Sequence, residues 1–240
     1  MKLRHSNPHI QYAIQLFAGF LVVGAILLAL YSKTEFSILV NQYSSSFTDP
    51  IFNGITQLGL GGLLAVLAVV LLFIRYYYAI LCTGILAVSG IVTFIFKRVL
   101  FSDAMRPLYY LGDLQLRFPA GMEEHFKRSF PSGHTMTIFA AAFILFWVYR
   151  NSRVATINFT IAVLVGFSRI YLFQHFLVDV YVGAILGVAE SVLVVLIFEK
   201  VFKLHKVPAL SGSLLSKKRI PQLAFKKNRL ANKNQSPQSA

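Results

Sequence analysis

The chain has 240 residues, 56% of them hydrophobic and only 13% charged, with a mean hydropathy of +0.65. Soluble domains run at about 45–50% apolar and about 25% charged, so this balance argues against a soluble enzyme and for a membrane protein. The formal charge is +14, but ten Lys and Arg and no acid lie from Lys200 onward. That clustering describes a basic cytoplasmic tail rather than a nucleic-acid-binding fold.

Six apolar runs approach the ~20 residues needed to cross a bilayer core. They cover residues 10–31, 55–74, 78–96, 133–149, 154–172 and 176–198, the fourth being the shortest. The expected fold is therefore all-α, a bundle of six transmembrane helices. Residues 1–206 form its one domain, and 207–240 a basic, disordered tail. Lys2 and Arg4 precede the first run as in a signal peptide, but no A-x-A pattern follows, so it reads as an uncleaved span. The single cysteine, Cys82, lies within an apolar run and cannot form an internal disulfide.

Loop charges set the expected orientation. With six spans both termini share a side. That side collects fifteen Lys and Arg: Lys2, Arg4, Arg75, Arg150, Arg153 and the ten from Lys200 onward. The other side collects eight, so the termini are expected in the cytoplasm. Cytoplasmic turns are tight, whereas the outer connections, residues 32–54 and especially 97–132, are long. Long loops among short ones tend to carry function.

Three polar clusters fall at that outer level. Lys97, Arg98 and Arg106 follow the third run, Ser132, Gly133 and His134 open the fourth, and Arg169, His175 and Asp179 lie at the outer ends of the fifth and sixth. His175 and Asp179 are four residues apart and share a helical face. Taken singly, each cluster has a structural reading: a satisfied buried pair, snorkelling anchors, a helix N-cap. A four-residue pattern recurs by chance in such a chain on the order of once in a thousand, and two on one face favour chemistry.

The residue types suit phosphoryl transfer. Arginines neutralise equatorial phosphate oxygens with paired hydrogen bonds, and N–H groups at a helix start add donors. Gly133 allows close backbone approach. A neutral His175 can attack phosphorus while Asp179 holds its other nitrogen, and a protonated His134 can donate to the leaving oxygen. The cation cluster does the electrostatic work, so no metal or other cofactor is expected.

These residues resemble the signature of the type 2 phosphatidic acid phosphatase superfamily, K-x6-R-P, P-S-G-H and S-R-x5-H-x3-D. The second and third parts match in full, at Pro131–His134 and Ser168–Asp179. The first departs: Arg106 and Pro107 are present, but Arg98 leaves seven intervening residues and Lys97 leaves eight. These two project about 100° apart on a helix, so only one is expected to serve, and the sequence leaves open which. The resemblance covers roughly residues 55–198. It implies His175 as nucleophile, Asp179 as its partner and His134 as acid/base. Lys97 or Arg98, Arg106, Ser132, Gly133 and Arg169 would then bind phosphate.

Outside the signature, Glu190 lies on nearly the same helical face as Asp179, about 16 Å deeper, and is expected to serve helix packing. The stretch GLGGLLA, residues 59–65, is expected to permit close helix contact. Glu123, Glu124 and His125 read as a solvated loop face. Asn158-Phe159-Thr160 fits a glycosylation pattern inside a span and is discounted.

The expected protein is thus a metal-independent phosphatase in a bacterial inner (cell) membrane, its site facing the periplasm or exterior and its partner a membrane lipid phosphate. Candidate substrates are polyprenyl diphosphate, which is preferred, phosphatidic acid, phosphatidylglycerophosphate and lipid A. A phosphotransferase using the same phosphohistidine and a non-enzymatic lipid-binding or transport protein are the alternatives. Vanadium haloperoxidases share the site pattern, but six apolar spans argue against that class.

Overall fold

The computed structural model describes residues 7–216; Lys2, Arg4 and the chain from Lys217 onward lie outside the described residues. Those described are helical, with no strand among them. Helix α1 spans Pro8–Leu30, α2 Glu35–Gln42, α3 Thr48–Gln57, α4 Gly62–Leu72, α5 Tyr76–Phe94 and α6 Pro107–Leu111. Helix α7 spans Gly133–Tyr149, α8 Ser152–Tyr171 and α9 Leu177–Leu196. Both α5 and α9 continue into a π turn, at Ile95–Leu100 and Ile197–Val201.

Among the described residues, four helices are long and apolar enough to cross a membrane: α1, α5 with its π turn, α8, and α9 with its π turn. The expected run over residues 55–74 is not one straight helix. It is a pair, α3 and α4, bent by 54° at a short break, and counting that pair gives a fifth candidate span. Glycines 59, 61 and 62 lie at or beside the break, where the backbone gains most from lacking a Cβ. Helix α7 is apolar but only 17 residues long, about 25 Å at 1.5 Å per residue.

Helix α7 is the centre of the bundle, packed on α8, α9, α5 and α4. Its residues from Thr135 to Ala141 are all buried. Two glycines of α9, Gly183 and Gly187, make that contact possible. A Cβ on Gly183 would lie 2.8 Å from the Ser132 carbonyl oxygen, and one on Gly187 would meet the Met136 carbonyl. Helix α1 is peripheral, its apolar surface left facing outward for lipid.

Local capping sets where the helices begin. Asn7, Ser132 and Asn151 accept backbone N–H groups at the starts of α1, α7 and α8, satisfying donors a helix start leaves open. At α9 the third residue, within the first turn, is Asp179, whose Oδ2 accepts the Phe176 N–H at 2.9 Å.

The two ends of the bundle differ. At one end His9 Nδ1 lies 2.8 Å from Ser152 Oγ, and Arg75 donates to the His205 carbonyl. The beginning of the expected tail also docks there: Tyr76 N donates to the Gly212 carbonyl and Leu214 N to that of Leu72. At the other end, α2, α3 and the long loop over residues 101–132 cover the α8–α9 turn. The buried carboxylate of Asp49 holds that cover. It accepts from the Arg117 guanidinium, from Tyr171 OH at 2.6 Å and from Ala120 N at 2.9 Å. Asn53 adds a bond to the Ala120 carbonyl at 2.7 Å. A buried carboxylate with all these donors is satisfied, and losing one partner would leave it costly.

Candidate active site

Three chain segments converge beneath this cover. The π turn that ends α5 carries Lys97 inward, and its ammonium lies 3.9 Å from where a Cβ of Gly133 would stand. A π turn holds more residues per turn than an α turn, so it re-aims the side chains that follow. Arg98, one position on, is exposed. Of the two cations between which the sequence left the choice open, Lys97 is the one that faces the other clusters.

Arg106 stands at the N-cap of α6. Its Nε donates to the Lys127 carbonyl at 3.0 Å and its Nη1 to Gln174 Oε1 at 2.6 Å. Ser132 and Gly133 open α7, the Ser132 Oγ accepting from Thr135 Oγ1 at 2.8 Å. The Ser132 N–H donates to the Asp179 carbonyl at 3.0 Å, which fixes the start of α7 against the start of α9. Arg169, near the end of α8, donates from Nη1 to Thr56 Oγ1 at 2.6 Å. Its Nε is buried with no partner among the described residues. A buried guanidinium donor without an acceptor is costly unless an anion fills the gap.

His175 lies in the turn between α8 and α9 and is 1% exposed. Its Nδ1 is 3.5 Å from Asp179 Oδ2, near enough for charge attraction but too long for a well-formed hydrogen bond. That oxygen is already occupied by the Phe176 N–H and by Ser129 Oγ. Burial pushes the His175 pKa well below its ordinary value, and the charges of Lys97, Arg106, Arg169 and His134 push it the same way. The imidazole is therefore neutral at pH 7. Burial likewise lowers the Arg106 pKa, against the opposing pull of Asp179 and Glu123.

The turn that presents His175 is conformationally demanding. Phe173 has φ +52°, the left-handed region, which a bulky residue enters at a cost of about 1–3 kcal/mol. Its ring is buried and packs against Phe118 of the long loop at 5.4 Å between centroids, so tertiary contact holds the turn.

His134 and Arg169 share a cavity of about 110 Å³ with Thr56, Gln57, Met122 and Glu123. A second, larger cavity of about 430 Å³ is lined by Lys97, Arg98, Arg106, His125, Lys127 and Arg128, with no acidic residue among its walls. Lys33 lies on the same face, its ammonium 4.3 Å from the Phe176 ring centroid.

Of the sequence-expected residues, His134 and Arg169 line the smaller cavity and Lys97, Arg106 and the exposed Arg98 the larger. Gly133 lies against Lys97, Ser132 is tied to the Asp179 backbone and His175 lies beside Asp179. Sequence reasoning missed Ser129, Gln174 and Thr56, polar residues whose partners are 50 to 113 positions away. It read the glycines near residue 59 as packing residues, and Gly59 proves to pack on His134 itself. Glu123 contributes its backbone: its carbonyl accepts from Gln174 Nε2 at 2.6 Å, while its side chain pairs with exposed His125. Glu190 lies deeper in α9 and accepts a hydrogen bond from Ser89 of α5, away from these residues. Among the described residues no group of three His, Cys, Asp or Glu could hold a metal ion.

The comparisons with known proteins concern the family and the fold. The family model described as the PAP2 superfamily matches residues 77–203. The bacitracin transport permease protein BcrC of Bacillus licheniformis is 32% identical over 89 residues, which are 37% of this chain and 43% of that protein. The chain thus matches less than half the length of that curated relative. The crystal structure of Aquifex aeolicus LpxE superposes with a TM-score of 0.60 at 26% identity, covering 69% of this chain and 96% of that one. The first transmembrane PAP2 type phosphatidylglycerolphosphate phosphatase from Bacillus subtilis superposes with a TM-score of 0.56 at 25% identity, covering 79% and 96%.

Proposed function

The chain belongs to the PAP2 superfamily, and from that premise we propose that it is a lipid phosphatase working through a phosphohistidine. The observation that carries the reading is the buried Arg169 Nε without a protein acceptor, beside a neutral His175 and the cations Lys97 and Arg106. That arrangement is a receptor for a phosphate dianion next to a nucleophile.

In the proposed reaction Nε2 of His175 attacks phosphorus as the bond to the leaving oxygen breaks, and His134 delivers a proton to that oxygen. Asp179 offsets the positive charge that develops on the imidazole. In the second step His134 takes a proton from water, which attacks phosphorus, breaks the P–N bond and releases inorganic phosphate. Lys97, Arg106, Arg169 and the N–H groups at the start of α7 stabilise the charge on the phosphoryl oxygens. No metal enters the scheme.

We read the bent pair α3–α4 and the short α7 as spans alongside the four long helices. Six spans put both termini in the cytoplasm and the site at the outer face of a bacterial cell membrane. A lipid can then keep its chains in the bilayer while its headgroup reaches the cations. The acid-free cavity beside Lys97 and Arg106 favours a substrate with a second phosphate, so a polyprenyl diphosphate is preferred over phosphatidic acid, phosphatidylglycerophosphate and lipid A.

The test is phosphate release by the purified protein in detergent from these four lipids, with His175→Ala as control. Release from the diphosphate, lost in the control, supports the reading. No release from any lipid refutes the hydrolase and leaves a transferase lacking its acceptor, or a binding protein.

A further inference from the structure

Gln174, which the signature does not name, is bound into this site through both its side chain and its backbone. It is 3% exposed, and its side-chain oxygen accepts from Arg106 Nη1 at 2.6 Å. Its side-chain nitrogen donates to the Glu123 carbonyl of the long loop at 2.6 Å and to the Leu172 carbonyl at 3.4 Å. Its backbone carbonyl also accepts from Arg106 Nη1, at 3.4 Å, while its backbone N–H donates to the Arg169 carbonyl at 2.9 Å. The next residue is His175.

An amide differs here from an aliphatic or a carboxylate of the same length. An arginine side chain has many rotamers, and a guanidinium aimed at phosphate must be held in one of them before the ligand arrives. The amide oxygen does this for Arg106 without cancelling its charge, while the amide nitrogen ties the same unit to the loop. Among the described residues nothing accepts from Arg106 Nη2, so that edge of the fork remains available for a phosphoryl oxygen. A glutamate would pair with Arg106 and repel phosphate, and a methionine would fill the volume but leave the guanidinium unaimed.

We infer that Gln174 is a positioning residue for phosphate, acting through Arg106 and coupling that arginine to the loop carbonyl of Glu123. The inference rests on the phosphatase reading for its kinetic test but not for its binding test.

The experiment compares wild type, Gln174→Met, Gln174→Glu, Arg106→Lys and the double variant Gln174→Met/Arg106→Lys, each checked for a single elution peak in detergent. Phosphate release from a lipid substrate and calorimetric binding of orthovanadate are both measured. Gln174→Met is expected to raise KM and weaken vanadate binding about tenfold, the loss of one charge-assisted hydrogen bond. The pH profile of kcat should stay in place, and Gln174→Glu should be worse. In the Arg106→Lys background the methionine substitution should cost less than about twofold more, because residues acting through one another are not additive.

Wild-type behaviour of Gln174→Met, or an equal loss in both backgrounds, overturns the inference. A wild type that binds vanadate but releases no phosphate sinks the hydrolase reading alone, and the binding cycle then decides. A wild type that does neither sinks both. If Gln174→Met misfolds, Gln174→Glu carries the comparison: near-normal vanadate affinity in that variant would also overturn the inference.

Discussion

Gly59 and His134 meet side by side at the break between α3 and α4: a Cβ on Gly59 would lie 2.7 Å from the Cβ of His134 and 3.0 Å from its Cδ2. The same Cβ would stand 2.9 Å from Val165 Cγ1, so an added methyl would be crowded by both side chains at once. The glycine is therefore part of how the acid/base candidate is aimed.

Gly59→Ala is expected to displace His134 by a few tenths of an ångström or more. A loss of about 10–100-fold in kcat follows from such misplacement, with destabilisation of about 1–3 kcal/mol from overpacking. Phosphate-release kinetics together with thermal unfolding in detergent check both. Unchanged kcat would mean that the position of His134 does not limit the reaction.

Lys97 and Arg98 should respond unequally to substitution. Lys97 approaches Gly133, whereas Arg98 is exposed at the rim. Lys97→Ala is expected to lower kcat/KM by about 100-fold, as for loss of one donor to a developing oxyanion, and Arg98→Ala by less than about tenfold. Equal losses would remove Lys97 from the phosphate site.

The acid side of the pH profile should follow His175. Burial and the neighbouring charges of Lys97, Arg106 and Arg169 hold its pKa below the usual ~6.5, so the nucleophilic neutral form persists in weak acid. The acid limb of kcat/KM should therefore fall below about pH 6.5 if His175 sets it. The sign for stability is equally definite. Below about 6.5 the unfolded chain binds a proton that folded His175 refuses, so stability is lost as pH falls from there towards the folded pKa. Melting temperatures of wild type and His175→Gln, compared from about pH 7 down to about pH 5, should show the steeper decline in wild type. Parallel declines would mean that His175 is not the buried neutral group described.

Chelation and vanadate separate the mechanisms. EDTA should leave phosphate release unchanged, and vanadate should inhibit competitively by occupying the place of the phosphoryl group. Activity lost to EDTA and restored by a divalent cation would overturn the proposed chemistry.

Much of the architecture was legible in the chain because transmembrane hydropathy is a property of contiguous residues. Four runs reappear as long helices with ends within a few positions of those expected. The 55–74 run reappears as a bent pair, a bend that hydropathy does not show because it counts Gly59, Gly61 and Gly62 as apolar and is blind to their backbone freedom. The candidate residues of the second and third clusters could be named because each cluster is local. Ser129 and Gln174 could not, because a lone serine or glutamine has no periodicity and its meaning lies in a distant partner.

What the sequence by itself determined is a membrane-embedded, all-helical chain carrying two intact motifs of one superfamily. Composition and short-range spacing are sufficient for that, since burying apolar surface in lipid and pairing backbone groups within helices are local requirements. Only the tertiary structure decided that Lys97 rather than Arg98 turns inward, that Gly59 backs His134, and that Ser129 shares the Asp179 oxygen nearest His175. It also decided that Asp49 clamps the loop above them. Those relations depend on how helices cross and where a buried polar atom finds its partner, and both are set by packing between segments far apart in the chain.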